Sequence, residues 1–201
     1  MYNIFGVWML EIEEYAKKYN IPIMQKEGIE FLTKFIKENK VKKILEIGTA
    51  IGYSAIKMAL VDDEINVVTI ERDSERFNEA VKNVSKFNLN DRIKLINDDA
   101  FNVELKDKFD LIFIDAAKAQ SIKFFNKFEK NLKEKKYIIT DNLKFHGLVE
   151  SDKILSKNLR QLVKKIKNYI EFLKNNKDFE TSFYDVGDGI SVSIKRWEIW
   201  K

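Results

Sequence analysis

Residues 43–59, KILEIGTAIGYSAIKMA, read as a buried strand, a glycine-hinged turn and a helix start in one run. Ile44, Leu45 and Ile47 form the near-continuous apolar run of a strand covered on both faces. Gly48 and Gly52 flank a tight loop, and Ile56, Ala59 and Leu60 recur at helical spacing beyond it. Residues 67–71, VVTIE, repeat the strand and end in an acid, where an open α/β sheet places the group that accepts both hydroxyls of a ribose. Two such units in succession imply a parallel sheet and predict a nucleoside-bearing cofactor.

The glycine pattern narrows which nucleoside. A dinucleotide fingerprint, G-x-G-x-x-G, lets backbone approach a pyrophosphate. This loop is E-x-G-x-x-x-G, with Ala50 where the middle glycine would stand, so a pyrophosphate fits poorly. Glu46, ahead of the first glycine, would repel a phosphate but could hold the amino group of an amino-acid moiety such as S-adenosylmethionine carries. The plain alternative is a strand-to-helix turn with no ligand, and Glu71, one βα unit later, argues against it.

Helical spacing of Met9, Ile12, Tyr15, Ala16 and Tyr19, and of Ile29, Leu32, Phe35 and Ile36 after the lone Pro22, predicts an N-terminal helical cap over 1–40. From 41 to 196 strands and helices alternate. Strands are expected at 41–47, 66–71, 92–97, 109–115 and 136–142, with helices from Tyr53, Ser74 and Ala119 and a long helix over 152–173. Two last strands, 179–184 and 190–195, surround Gly187-Asp188-Gly189, a hairpin turn signal. The expectation is one α/β domain over 1–201: a doubly wound, mostly parallel seven-stranded sheet with an antiparallel C-terminal hairpin. At 201 residues and 45% hydrophobic content the chain can fill such a core. Without cysteine it has no disulfide framework or thiolate metal site, and no run resembles a signal peptide or a membrane span, so a cytoplasmic location is expected.

Two further strands end in acids. FDLIFI runs into Asp115 and YIIT into Asp141-Asn142, so three oxygen-bearing side chains are expected at the carboxyl edge of the sheet. Mg2+ is held by one or two carboxylates while waters and substrate oxygens complete its octahedron, and this set leaves those positions open. The alternative is that the acids only cap strand ends.

The order EIGTAIGYSAIKMA, VTIERD, DLIFIDAAKAQ and IITDN, with Gly147 shortly after, resembles the cation-dependent O-methyltransferases of the catechol and caffeoyl-CoA type, which share a Rossmann-like methyltransferase fold. Residues 22–32, PIMQKEGIEFL, and the run DAAKAQ look like the bacterial branch that methylates 5-hydroxyuridine at the tRNA wobble position. The resemblance implies metal ligands at Asp115, Asp141 and Asn142 and a base at Lys118. It implies cofactor contacts at Met24, Glu46, Gly48, Tyr53, Ser54, Glu71, Asp99, Ala100 and Asp115, with Glu71 on the ribose and Asp99 near the adenine. It also implies a homodimer. Two departures stand out: Asp98 where a glycine often precedes the Asp-Ala pair, and His146 in place of a basic residue before Gly147. A lone loop histidine reads as a surface or substrate-phosphate contact rather than a catalytic group. Trp197 and Trp200 could anchor an interface or simply end the chain.

The net charge of +4, from 36 basic and 32 acidic side chains, permits an anionic partner without requiring one. Leu155, Leu159, Leu162, Ile166, Ile170 and Leu173 mark an amphipathic helix whose wet face carries Lys157, Arg160, Lys164, Lys165 and Lys167. These cations are a solvated face or a contact for RNA phosphates. The expected activity is Mg2+-dependent methyl transfer from S-adenosylmethionine to one of two vicinal oxygens, on tRNA 5-hydroxyuridine or on a small catechol-like molecule. Two other classes compete: a nicotinamide-dependent oxidoreductase, which Ala50 disfavours, and a catalytically silent nucleic-acid-binding domain, which the Asp115, Asp141 and Asn142 set disfavours.

Overall fold

The structure is a computed structural model that describes residues 4–150 and 156–196. The strand order is β3 (Ile93–Asn97), β2 (Asn66–Glu71), β1 (Lys43–Ile47), β4 (Phe109–Ile114), β5 (Leu132–Thr140), β7 (Ile190–Lys195), β6 (Phe179–Tyr184), and the chain divides into two compact units, residues 1–103 and 104–201.

The first unit runs α1 (Ile4–Tyr19), α2 (Lys26–Glu38), β1 (Lys43–Ile47), α3 (Tyr53–Ala59), β2 (Asn66–Glu71), α4 (Ser74–Lys86) and β3 (Ile93–Asn97). Met9, Ile12 and Ala16 of α1 and Ile29, Leu32 and Ile36 of α2 are buried, the spacing of one helical face. Tyr19, expected on that face, is 53% exposed at the last turn of α1. β1 pairs parallel with β2 from Lys43↔Asn66 to Ile47↔Ile70, and β2 with β3 from Val67↔Ile93 to Glu71↔Asn97. The unshifted register brings the carboxyl ends of the three strands level, so the turns that follow them share one edge. α4 starts where the Asp73 carboxylate accepts the amides of Glu75 and Arg76, capping two otherwise unbonded N–H groups.

The second unit runs β4 (Phe109–Ile114), a 3-10 turn at Lys118–Gln120, α5 (Ser121–Phe128), β5 (Leu132–Thr140), α6 (Lys157–Asn175), β6 (Phe179–Tyr184) and β7 (Ile190–Lys195). Every residue of β4 is buried, as a strand covered on both faces requires. β4 and β5 are parallel, from Leu111↔Tyr137 to Ile114↔Thr140, while β7 runs antiparallel to β5 and to β6. Phe125 anchors the core, meeting Phe179 and Phe172 edge-on at centroid distances of 4.8 and 5.2 Å.

Several element boundaries differ from expectation, among them the end of β4 at Ile114 rather than 115. β1 and β3 begin at Lys43 and Ile93 rather than at 41 and 92. β5 begins at Leu132 and stops at Thr140, because Asn142 has φ +63° and cannot continue a strand. The segment expected as helix from Ala119 opens with a 3-10 turn. The long helix starts at Lys157, capped by the Ser156 hydroxyl on the Leu159 amide at 3.1 Å. Asp152, Leu155, Trp197 and Trp200 lie outside the described residues.

Candidate active site

In the first unit the turn after β1 is built on left-handed backbone: Gly48 at φ +104°, Ala50 at +47° and Gly52 at +85°. Gly48 N–H donates to the Ile70 carbonyl at 3.0 Å, which fastens the turn to β2. Left-handed geometry at a residue with a Cβ costs about 1–2 kcal/mol. At Ala50 the amide donates to Glu71 Oε2 at 2.8 Å, and a hydrogen bond to a charged group returns roughly 1.5–3 kcal/mol. Glu71 thus holds the turn in shape. Its other oxygen, Oε1, accepts the Asp73 amide at 2.9 Å. A carboxylate offers about four acceptor directions, so both oxygens keep capacity for ribose hydroxyls.

Glu46 has no exposed surface. Ser54 Oγ donates to its Oε1 and Thr69 Oγ1 to its Oε2, each at 2.5 Å. Thr69 commits its proton to Glu46, so the 2.6 Å contact between the Thr49 and Thr69 hydroxyls has Thr49 as donor. Glu46 therefore braces β1, β2 and the start of α3 through hydroxyls, and it presents no open face to an amino group in this arrangement. Tyr53 is also buried. Its hydroxyl donates to Glu13 Oε1 at 2.9 Å, and burial, then Glu13, pushes the phenol well above its ordinary value. Met24 is buried in the segment between α1 and α2.

The loop after β3 is tied to Glu71 by backbone: the Asp98 amide and the Asn97 side chain both donate to the Glu71 carbonyl, at 3.1 and 2.8 Å. Asp98, the departure from the family pattern, accepts the Asp99 amide at 2.7 Å and Asn102 Nδ2 at 3.0 Å, so its carboxylate organises this loop. Asp99 accepts the Phe101 amide at 2.9 Å and lies 3.9 Å from the Arg72 guanidinium, while Ala100 is buried. Gly48, Tyr53, Ser54, Glu46, Glu71, Asp99 and Ala100 thus belong to one edge of the first unit. Asp115, expected on both the cofactor and the metal, belongs to the second.

There Asp115 follows β4, and its Oδ1 accepts Lys118 Nζ at 2.5 Å. The 3-10 turn beginning at Lys118 brings the two side chains, three residues apart, face to face. Asp141 follows β5 and is 2% exposed. Its Oδ2 accepts Asn142 Nδ2 at 3.3 Å, and its Oδ1 is buried with no hydrogen-bond partner. Burial, then the Asp115 charge, pushes its carboxyl up to about 7, against the pull of the Asn142 amide and Lys118. An unpartnered buried carboxylate oxygen is costly unless a cation meets it. Asp115, Asp141 and Asn142 offer oxygen donors only, which suits a hard cation such as Mg2+. Among the described residues no three His, Cys, Asp or Glu side chains converge as a metal cluster; the expected set has two acids and an amide.

One residue escaped the sequence reading. Asp188, in the Gly-Asp-Gly turn, is 4% exposed rather than at a wet hairpin tip. Its Oδ1 accepts the His146 amide at 2.6 Å and its Oδ2 has no partner. His146 Nδ1 lies 3.8 Å from that oxygen, with the ring 70% exposed. The available signal was an acid between two glycines, where small neighbours permit close approach of another segment. On α6 the buried face is shifted from the expected one: Ile166 and Leu173 are buried together with Val163 and Tyr169, Leu159, Leu162 and Ile170 are half-buried, and Lys157, Arg160, Lys164, Lys165 and Lys167 are exposed. Among the described residues none of these five cations has an ion-pair partner.

A mostly parallel seven-stranded sheet with an antiparallel last pair, and an acid closing β2 above a glycine turn, defines an S-adenosylmethionine-dependent methyltransferase. The O-methyltransferase family model matches residues 7–196, and the chain belongs to that family. A caffeoyl-CoA O-methyltransferase of Populus kitakamiensis is 26% identical over 190 residues, covering 90% of this chain and 80% of its own. A Staphylococcus aureus protein of known structure, classed by inference as a caffeoyl-CoA O-methyltransferase, is 38% identical with a TM-score of 0.88, covering 93% of this chain and 91% of its own. The O-methyltransferase of Bacillus cereus, solved in complex with SAH, shares the fold at 24% identity and a TM-score of 0.82, over 94% of this chain and 91% of its own.

Proposed function

We propose that this chain moves the methyl group of S-adenosylmethionine to one oxygen of a vicinal oxygen pair with Mg2+ held by Asp115, Asp141 and Asn142, and that its acceptor is 5-hydroxyuridine at the tRNA wobble position. The observation that carries the metal reading is Asp141 Oδ1, buried and unpartnered beside a second carboxylate. When bound, Mg2+ supplies a positive charge that holds both acceptor oxygens and favours loss of the hydroxyl proton.

The chain's own residues do the rest. Glu71 accepts the ribose hydroxyls while keeping the Ala50 amide, and the Asp99 loop borders the adenine. Glu46, through Ser54 and Thr69, fixes the turn under the methionine portion. Lys118 first leaves Asp115 and gives a proton to water, and its neutral amine then takes the acceptor proton on Nζ. The acceptor oxygen then forms its bond to the methyl carbon as the sulfonium bond breaks, leaving a methyl ether and the thioether product.

The tRNA acceptor is supported by five exposed cations of α6 that have no ion-pair partner among the described residues, since phosphates reward clustered positive charge. A second reading keeps the chemistry with a small catechol-like acceptor, and the caffeoyl-CoA names of the Populus and Staphylococcus relatives favour it. The deciding assay offers tRNA bearing 5-hydroxyuridine, the free nucleoside, a catechol and caffeoyl-CoA to the enzyme with Mg2+, and then with excess EDTA. Methylation of the tRNA far above the others, abolished by EDTA, is expected. Good turnover of a small acceptor with the tRNA untouched at low salt leaves the second reading standing, and full activity in EDTA rules out the metal.

A further inference from the structure

After Asp141 the backbone enters a conformation that its own sequence does not favour. Asn142, Phe145, His146 and Gly147 have φ of +63°, +48°, +56° and +78°. Three of these four carry a Cβ, and such geometry persists only where surrounding structure holds it. The holding structure is the turn between β6 and β7. Leu143 N–H donates to the Gly189 carbonyl at 3.0 Å and Lys144 N–H to the Asp188 carbonyl at 2.8 Å. The His146 amide donates to the Asp188 carboxylate at 2.6 Å. The Asp188 carboxylate thus meets the left-handed run through one of its amides, while the amides of Leu143 and Lys144 are held by carbonyls of the same turn.

The approach is close enough to dictate the neighbouring residue. A Cβ on Gly189 would lie 2.9 Å from Lys144 Cγ and 3.1 Å from its backbone nitrogen. Asp188 itself sits in a poor position for stability alone, being 4% exposed with Oδ2 unpartnered. A neutral residue that filled this space would avoid burying a carboxylate oxygen that accepts no hydrogen bond.

We infer that Asp188 is a positioning residue: its carboxylate pins the loop 142–147 through the His146 amide and so fixes the angle at which Asn142 is presented beside Asp141. The inference rests on the metal reading above for its consequence and on hydrogen bonds alone for its geometry. Partners that orient a ligand rather than touch the metal typically contribute about 10- to 100-fold in metal affinity or activity.

The test compares Asp188→Ala, which removes the acceptor, with Asp188→Asn, which keeps an oxygen for the His146 amide and loses the charge. Amide hydrogen exchange over 143–149, Mn2+ affinity by electron paramagnetic resonance, and S-adenosylmethionine affinity on metal-free protein are measured for each. For Asp188→Ala we expect faster exchange confined to the loop, Mn2+ affinity and kcat lowered about 10- to 100-fold, and unchanged cofactor affinity. Asp188→Asn should stay near wild type in all three. Equal damage by both variants would show that charge rather than the hydrogen bond matters and would overturn the inference, as would wild-type exchange in Asp188→Ala or a loss of cofactor affinity alongside the rest. Where Asp188→Ala does not fold, Asp188→Ser, too short to reach the amide, takes its place with the same expected results. A wild type that binds no Mn2+ would sink the metal reading, while the exchange measurement would still decide whether Asp188 holds the loop.

Discussion

The two groups of buried acids differ in how completely the protein satisfies them. In the first unit both oxygens of Glu46 and both of Glu71 accept hydrogen bonds, two from hydroxyls and two from backbone amides. In the second unit Asp141 and Asp188 each leave one buried oxygen without a partner. The first group is finished by the fold alone, because its acids brace a turn whose shape must exist before a ligand arrives. The second is left with unsatisfied oxygens, and burial, then the Asp115 charge, pushes the Asp141 carboxyl up to about 7. Unsatisfied buried charge in a native structure calls for a specific reason, and the cation proposed above would supply it.

The largest effect that would sharpen this contrast is at Asp141. Asp141→Ala should lower methyl transfer by about 10^3-fold or more, since several kcal/mol of charge stabilisation is removed and each 1.4 kcal/mol is tenfold. Cofactor affinity should be untouched. Asp141→Asn probes the same oxygen through stability. The folded carboxyl titrates near 7 against an ordinary value of 3.8, so the fold retains a proton that the unfolded chain releases. That contribution is fully present below the unfolded value and is lost as pH rises through the folded one. An uncharged Asn should therefore stabilise metal-free protein more at pH 8 than at pH 5, by on the order of a few kcal/mol. Urea unfolding at both pH values checks it, and an equal gain at the two would remove Asp141 from the contrast.

A smaller loss is expected in the finished group. Glu71→Ala removes an acceptor of the Ala50 amide together with the proposed ribose partner, so S-adenosylmethionine should bind about 10- to 100-fold more weakly, the range for losing hydrogen bonds to a charged group. Calorimetry on metal-free protein measures it. Mn2+ affinity should not change, and a joint loss of both would mean that the two groups are not independent.

The same contrast explains what the sequence disclosed. Glu46, Gly48, Ala50, Gly52 and Glu71 lie within two short segments whose glycine spacing, strand pattern and terminal acid are local signals, so the turn was legible without tertiary information. The carboxyl-end acids Asp115 and Asp141 were legible because they close apolar runs. Asp188 was not: its burial depends on a loop some 40 residues earlier, from His146, reaching across to it, and a Gly-Asp-Gly triplet says only that the chain turns. The left-handed Asn142 was hidden for a similar reason, since the segment that follows it, Leu143 and Lys144, is bonded to the carbonyls of Gly189 and Asp188. Glu46 was legible as the acid that leads the turn but not as a covered one, because the hydroxyls that enclose it come from Ser54 and Thr69 on two different elements.

The smallest expected effect, and the one that separates the two acceptors, concerns α6. Lys157, Arg160, Lys164 and Lys167 recur at three- and four-residue spacing and so project along one side of the helix. The sole acid of α6, Glu171, is engaged with Lys174 at 2.9 Å and does not neutralise them. If this stripe meets tRNA phosphates, each cation seated on a phosphate releases condensed counterions, and the apparent KM for tRNA should climb steeply between low and moderate salt. A neutral catechol, which releases none, should show a flat KM over the same series with the wild-type enzyme. Charge reversal at Arg160 and Lys164 should then raise the tRNA KM about tenfold at low salt and flatten the logarithmic salt slope by about two, one for each phosphate that no longer meets a cation. A slope unchanged by both reversals would make α6 a solvated face and nothing more. The acceptor would then have to be recognised at the Asp141 group alone, where a catechol and a 5-hydroxyuracil both offer vicinal oxygens and only the surroundings of the ring can tell them apart.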